Sequence, residues 1–432
     1  MFEQEIQGYK NQLIEDLLGC VAINSVRSDP EPDAPFGPGP KRALEYTLSL
    51  AESMGLRTCS LDHMIGYAEY GEGEEMIGVL GHLDVVPLGD GWDYNPLGEL
   101  CADRIYGRGT LDDKGPMIGA LYALKAIKES GVSLKRRIRL IFGTNEESGD
   151  ADVDRYKETE EFPTMGFTPD ADYPVIFSEK GLACFRVECS LSSGVLRAAK
   201  AGEAVNQVPD VASAELGFED GTKKRLESRG KAAHASTPWE GENAIANLME
   251  QLAACELPED LKAFVDFFNT CAGRGTDGHG LDIGWDGGKF GSVTVNAGLL
   301  EGDENHIALW FDCRYPYGMD FQEAFAKVKR KAAARGLDAE LERLEQPLYV
   351  PEDSVLVQTL QRIYQEQTQT AAEPIVIGGG TYAKAMEHIV AFGPVFPGQE
   401  NVIHQKNEYI SIPNLLKNTQ IMAQAMYELA NV

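Results

Sequence analysis

No apolar run in this chain approaches the roughly 18 residues that a membrane-spanning helix needs. The N-terminus lacks the basic region, apolar stretch and small-residue cleavage site of a secretory leader, so a cytoplasmic location is expected. Positive charge is scarce: 39 Lys and Arg face 68 Asp and Glu, a formal net charge of −29. Phosphate neutralisation needs a basic surface, which argues against a nucleic-acid partner. Cysteine is dispersed (Cys20, Cys59, Cys101, Cys184, Cys189, Cys255, Cys271, Cys313) and never spaced Cys-x-x-Cys. A Cys-rich zinc site is therefore not expected, and reduced, half-buried thiols are. Low-complexity tracts and strong internal repeats are missing too.

What is present is a globular composition, 43% hydrophobic and 25% charged, in 432 residues. That length exceeds one ordinary core and suggests two or three domains. Ile6, Tyr9, Leu13, Leu17 and Val21 recur at helical spacing, so 4–22 reads as an amphipathic helix. A Pro- and Gly-rich loop over 29–40 precedes a second helix from about Lys41 to Met54. Met76–Leu80 and Arg137–Phe142 read as short buried strands, joined by a helix over Met117–Lys128. Strand, helical crossover and strand is the grammar of a parallel βαβ unit. After Lys180 the texture changes to alternating runs at 182–190, Gly291–Leu299 and His306–Cys313, with helices near Ala244–Cys255 and Phe321–Ala334. An inserted α+β domain over 182–350 follows from this, with 1–181 and 351–432 forming one discontinuous domain.

Three acidic clusters fall at the ends of apolar runs: His82 with Asp84, Asp112 with Asp113, and Glu146 with Glu147. Singly, each reads as a solvated turn or an ordinary hydrogen-bonding group. Together they place imidazole and carboxylates where parallel sheets collect functional groups. Crowded carboxylates repel and raise one another's pKa unless a cation intervenes. Two divalent ions, about 3.5–4 Å apart, would relieve that repulsion.

The residues that carry this series resemble the M20 family of metallopeptidases, in particular its carnosinase-like dipeptidase branch. The similarity covers nearly the whole chain. It runs through His82-x-Asp84, Gly107-Arg-Gly-Thr-Leu-Asp-Asp-Lys-Gly-Pro116, Asn145-Glu-Glu147, Phe167-Thr-Pro-Asp-Ala171 and Ala233-His-Ala-Ser-Thr-Pro238. It continues at Asp312-Cys-Arg314, Gly378-Gly-Gly-Thr-Tyr382 and His404-Gln-Lys-Asn-Glu408. The resemblance implies an α/β fold: a di-metal aminopeptidase-like catalytic domain, its mixed sheet flanked by helices, with an inserted α+β lid. It also implies that Asp112 bridges two metals, with His82 and Asp170 on one, and Glu147 and His404 on the other. A cis peptide between Asp112 and Asp113 is implied as well.

Glu146, beside ligand Glu147, is left to act as general base and later acid. Asp84 is expected to orient the His82 imidazole. On the lid, His234 resembles the histidine that stabilises the developing oxyanion, Arg314 the arginine that binds the substrate carboxylate, and Asn206 a substrate-binding asparagine. Competing readings are a local hydrogen bond for His234, an ion pair with Asp312 for Arg314, and a plain turn for Asn206. Gly378–Thr381 lacks the ending of a phosphate loop. Close backbone approach there lets the amides of Gly379, Gly380 and Thr381 meet the substrate carboxylate. His63, His279, His306 and His388 receive no role.

The expected activity is a metal-dependent dipeptidase cleaving short unblocked peptides. The alternatives are an N-acyl amino acid deacylase of the same fold and an inactive binding protein. Zinc is the expected metal, with manganese or cobalt as alternatives, since mixed His and carboxylate ligands suit all three. The long insert resembles that of monomeric dipeptidases, so a monomer is expected.

Overall fold

The apolar run at Met76 becomes a strand, Met76–His82, buried at every position. A parallel strand covered on both faces requires such a run. It pairs in parallel with Arg137–Gly143 on one side and Met165–Thr168 on the other. Helix Lys114–Ser130 makes the crossover between the first two, and ends at Gly131 in the left-handed conformation (φ 66°) that glycine adopts without strain. Ile65–Tyr70 and then Arg57–Leu61 extend one edge antiparallel. Ile389–Ala391 extends the other edge in parallel, followed by an antiparallel pairing with Ile176–Glu179. The sheet is therefore mixed, as the fold class required.

The computed structural model describes residues 1–371 and 373–432 and separates into two units. The first holds this sheet and comprises Met1–Phe177, Val350–Ile375 and Thr381–Val432. Helix Lys114–Ser130 packs on Glu3–Val21 and on Ile412–Leu429. The latter starts at Ser411, whose side chain accepts the Asn414 N–H. Just before it, strand Tyr409–Ser411 pairs antiparallel with Arg104–Tyr106. That pairing stitches the end of the chain to the loop that carries Asp112.

The second unit comprises Ser178–Tyr349 and Val376–Gly380. Seven of its strands form one antiparallel sheet, ordered Lys223–Arg229, Val211–Gly217, Leu196–Ala201, Thr294–Gly302, His306–Tyr315, Gly181–Ser190 and Asp338–Glu345. Along Gly181–Ser190 buried and half-buried positions alternate, the period-2 signature of a strand with one covered face. Helices Ala244–Ala253, Glu259–Phe267 and Phe321–Ala333 pack against this sheet. The core includes Phe185 stacked on Phe311 at 4.9 Å. Residues 376–380, assigned from sequence to the first unit, group with the second. The Lys180 N–H donates to the Ile377 carbonyl at 3.0 Å, which extends the strand there. Among the described residues, no helix is long and apolar enough to cross a membrane.

Gly78 and Gly166 face each other across the central parallel pair. A Cβ on Gly166 would collide with the backbone carbonyl of Gly78, which cannot rotate aside as a side chain could. Gly166→Ala is therefore expected to cost about 1–3 kcal/mol of stability, as overpacking does. A thermal melt checks this, and an unchanged Tm would refute it.

Candidate functional site

The sheet of the first unit delivers its functional groups at the carboxyl ends of its parallel strands. His82 closes strand Met76–His82, Glu146 and Glu147 form a short turn after Arg137–Gly143, and Asp170 follows Met165–Thr168. Asp112 and Asp113 lead into helix Lys114–Ser130, and the peptide between them is cis. His404 arrives from the other end of the chain, in the loop before Tyr409–Ser411.

Two trios of ligand-capable atoms result, His82–Asp112–Asp170 and Asp112–Glu147–His404, each with its atoms within 4.8 Å of one another. Asp112 belongs to both. One of its oxygens lies 2.9 Å from His82 Nε2 and the other 2.9 Å from His404 Nε2. Asp170 Oδ2 lies 3.7 Å from His82 Nε2, and Glu147 Oε1 is 3.1 Å from His404 Nε2.

Electrostatics test whether these groups suit a cation. Burial, reinforced by the charge of Asp112, lifts the Asp170 carboxyl to about 7. Burial and Asp112 raise Glu147 as well. Glu146 is pushed well above the carboxylate range, first by burial and then by the charges of Asp170, Glu147 and Asp112 against the opposing pull of His82. Burial would lower His404, yet its contacts with Asp112 and Glu147 carry it up to about 11. Each of these shifts marks a place where added positive charge would be stabilising. Hard oxygen donors mixed with imidazole, and a carboxylate aimed two ways, form a donor set that fits two divalent ions.

The backbone of the acidic turn is held by two buried carboxylates. Asp84 accepts the N–H groups of Glu146 and Glu147, both at 3.2 Å. Asp152 accepts those of Thr144 and Asn145, at 2.7 and 3.0 Å, and the Tyr382 hydroxyl at 2.5 Å. Four successive amides are therefore captured in pairs. The sequence reading gave Asp84 the orienting of His82 through its carboxylate. In the structure His82 Nδ1 lies 3.0 Å from the backbone carbonyl of Asp84 and 3.5 Å from the carboxylate. The carbonyl is the closer partner because the Asp84 carboxylate is turned toward the two amides. Asp113 Oδ2 accepts the His82 N–H at 3.2 Å.

In the second unit, Gln207 pairs with His234 across a two-stranded ribbon, and the Ala235 N–H donates to the Asn206 carbonyl at 2.9 Å. Asn206 and His234 are therefore neighbours, and both are exposed. Buried Asn296 steadies the ribbon by donating to the Gln207 carbonyl at 2.9 Å. The Ser236 N–H donates to His234 Nδ1 at 3.2 Å, and the Ser236 hydroxyl lies 2.7 Å from the same nitrogen. Arg314 forms a two-pronged pair with Asp312, at 2.7 and 2.9 Å through Nε and Nη2, and its Nη1 lies 3.4 Å from the Gly378 carbonyl. Gly379 and Gly380 follow Gly378 in the same unit. Thr381, in the first unit, accepts the Ala383 N–H at 3.1 Å and so caps a short helical turn.

Sequence reasoning gave no role to Asp152, Tyr382, Arg108 or Glu408, all of them buried. Three of them lie inside or beside motifs quoted above. Their partners lie 230 to 300 residues away in the chain, and no local pattern reports such a pairing.

Comparison with known proteins agrees with this layout. The profile of peptidase family M20/M25/M40 matches residues 78–428. A Staphylococcus aureus (strain MRSA252) protein, named provisionally as a dipeptidase, is 38% identical over 465 aligned residues, spanning 99% of each chain. Human carnosine dipeptidase 1 superposes with a TM-score of 0.64 at 17% identity, covering 100% of this chain and 98% of that one. A Bacillus subtilis M20 protein, described as a dinuclear metal-binding peptidase, gives 0.58 at 11% identity, covering 98% and 99%. A mixed sheet with ligand-bearing strand ends and a separate antiparallel unit is the layout of a metallopeptidase. The chain belongs to peptidase family M20/M25/M40.

Burial and like charge raise Asp170 and Glu147, and against burial neighbouring carboxylates raise His82 and His404, so protons and a divalent ion would compete for these groups. Because these folded-state pKa values are raised, proton competition strengthens as the pH falls. Metal affinity is therefore expected to weaken by about tenfold or more from pH 8 to pH 6. Titration of the metal-stripped protein at both values checks this, and equal dissociation constants would contradict it.

Proposed function

We propose that this protein is a metal-dependent dipeptidase whose first unit holds two divalent ions. The observation that carries the reading is Asp112, shared by two ligand trios, with Glu146 beside both and part of neither. His82, Asp112 and Asp170 would hold one ion, and Asp112, Glu147 and His404 the other. Ions bound there would polarise the scissile carbonyl and acidify a water nucleophile near neutral pH. Zinc fits the donors, as do manganese and cobalt.

Glu146 is assigned the proton. Its burial among carboxylates keeps its proton affinity high, which suits a group that takes a proton from water and gives it to the leaving amine. Asp84 and Asp152 keep that turn rigid. His234 is assigned the developing oxyanion. The Ser236 N–H on Nδ1 requires that nitrogen to be an acceptor, so a neutral ring carries its proton on Nε2, ready to donate. Arg314 is assigned the free carboxylate of the substrate. Asp312 occupies the Nε edge and the Gly378 carbonyl takes one Nη1 N–H at 3.4 Å, so that contact would use the remaining Nη N–H groups. Asn206, next to His234, and the amides of Gly379, Gly380 and Thr381 are assigned further substrate hydrogen bonds. A cytoplasmic monomer acting on short unblocked peptides completes the proposal.

Two experiments test it. Metal-replete enzyme offered dipeptides, tripeptides and N-acetyl amino acids is expected to prefer unblocked dipeptides. Preference for the N-acetyl compounds would replace the reading with a deacylase. Glu146→Gln is expected to retain its ions while kcat falls about 10²–10⁴-fold, the range for loss of a general base. Turnover at the parent rate would remove Glu146 from that role.

A further inference from the structure

Glu408 is fully buried, four residues beyond His404, and its carboxylate meets only donors. Oε1 accepts the N–H groups of Gly109 at 2.9 Å, Leu111 at 3.0 Å and Asp112 at 3.3 Å. Oε2 accepts Arg108 Nη1 at 2.6 Å, and Arg108 Nη2 in turn donates to the His404 carbonyl at 3.2 Å. The Glu408 carbonyl accepts the Gly107 N–H at 2.9 Å, continuing the pairing of Tyr409–Ser411 with Arg104–Tyr106. One side chain thus grips the backbone of the shared ligand Asp112 and, through Arg108, the backbone of His404. Burying a carboxylate is costly unless it is paired and fully hydrogen-bonded, and Glu408 is both.

We propose that Glu408 is a positioning residue that fixes Asp112 against His404, and so sets the metal affinity of the Asp112–Glu147–His404 site. The inference rests on the two-ion reading above. His82 ends a strand of the sheet and Asp170 follows the end of another by two residues, and neither hydrogen-bonds Glu408. His404 stands on a loop with a left-handed backbone (φ 61°), and the Glu408–Arg108 link ties its backbone carbonyl to the Asp112 loop. Loss of that link should weaken one ion much more than the other.

Glu408→Gln makes the test chemically sharp. A carboxamide has one acceptor oxygen and one donor nitrogen, so it can satisfy the amides or the guanidinium but never both. Calorimetric titration of metal-stripped protein with Mn²⁺ is expected to show two ions in the parent enzyme. In Glu408→Gln one ion should stay within about threefold of the parent affinity while the other weakens about 10–100-fold, the usual effect of losing an outer partner of a metal ligand. Excess Mn²⁺ should restore kcat with KM unchanged, which a general loss of folding would not produce. Arg108→Lys keeps the charge but loses the fork, and is expected to give the same split with a smaller ratio. It also serves as the measurement should Glu408→Gln fail to fold. Parent affinities at both sites in the folded variants, or equal weakening of both, would overturn the positioning role alone. A parent enzyme that takes up no second ion would instead overturn the two-ion reading, and this inference with it.

Discussion

Asp112, Glu147 and Asp170 are held close together and mostly out of water, with Glu146 near enough to feel their charge. Their mutual repulsion opposes this, and so does the loss of hydration. The rest of the first unit can be understood as the apparatus that enforces the arrangement. A sheet buried on both faces is stiff enough to present strand ends at fixed spacing, and its parallel core points those ends the same way. The imidazoles of His82 and His404 set positive or neutral groups between the acids, one on each side of Asp112.

Restraint comes from a repeated device, a buried carboxylate that accepts backbone amides next to the working residues. Asp84 and Asp152 do this for residues 144–147, Asp113 for His82, and Glu408 for the loop that ends in Asp112. Amide dipoles stabilise the accepting charge at short range and have no rotamers to lose. The side chains of the two trios are thereby fixed at their backbone while their ligand-capable atoms stay turned toward one another. Each restraining acid is local to one turn, so a defect in one should be felt first by the ligand it serves.

Much of this was legible in the sequence. The strand at Met76, the crossover helix and the strand at Arg137 were predicted to within a few residues, because a fully buried strand has no alternative composition. The three acidic clusters were visible only as a set, since each alone reads as a solvated turn and their joint placement after apolar runs is what points to a cation. Asp170 and His404 were not readable from spacing: each stands alone in loop-like sequence, and only the family resemblance singled them out. Glu408 and Asp152 escaped even that: Glu408 meets a backbone about three hundred positions away, and Asp152 joins two amides of its own turn to the distant Tyr382 hydroxyl. Residues 376–380 group with the second unit, which a short apolar run before glycines does not disclose.

The ligand inventory also constrains how the chain can fold. Asp112 and His404 are separated by nearly three hundred residues, and the sequence of the second unit lies between them. The ends are joined by a short antiparallel pairing, Tyr409–Ser411 on Arg104–Tyr106, and by the Glu408 contacts beside it. A long loop closes at an entropic cost that grows only slowly with its length, so a second domain can occupy the insertion without much penalty. Closure must still occur before the shared trios exist, so on the proposed two-ion reading ions would bind the folded first unit in preference to the open chain. Their binding free energy then adds to stability by mass action. In this architecture, completing the metal centre and fastening the chain's two ends are one event.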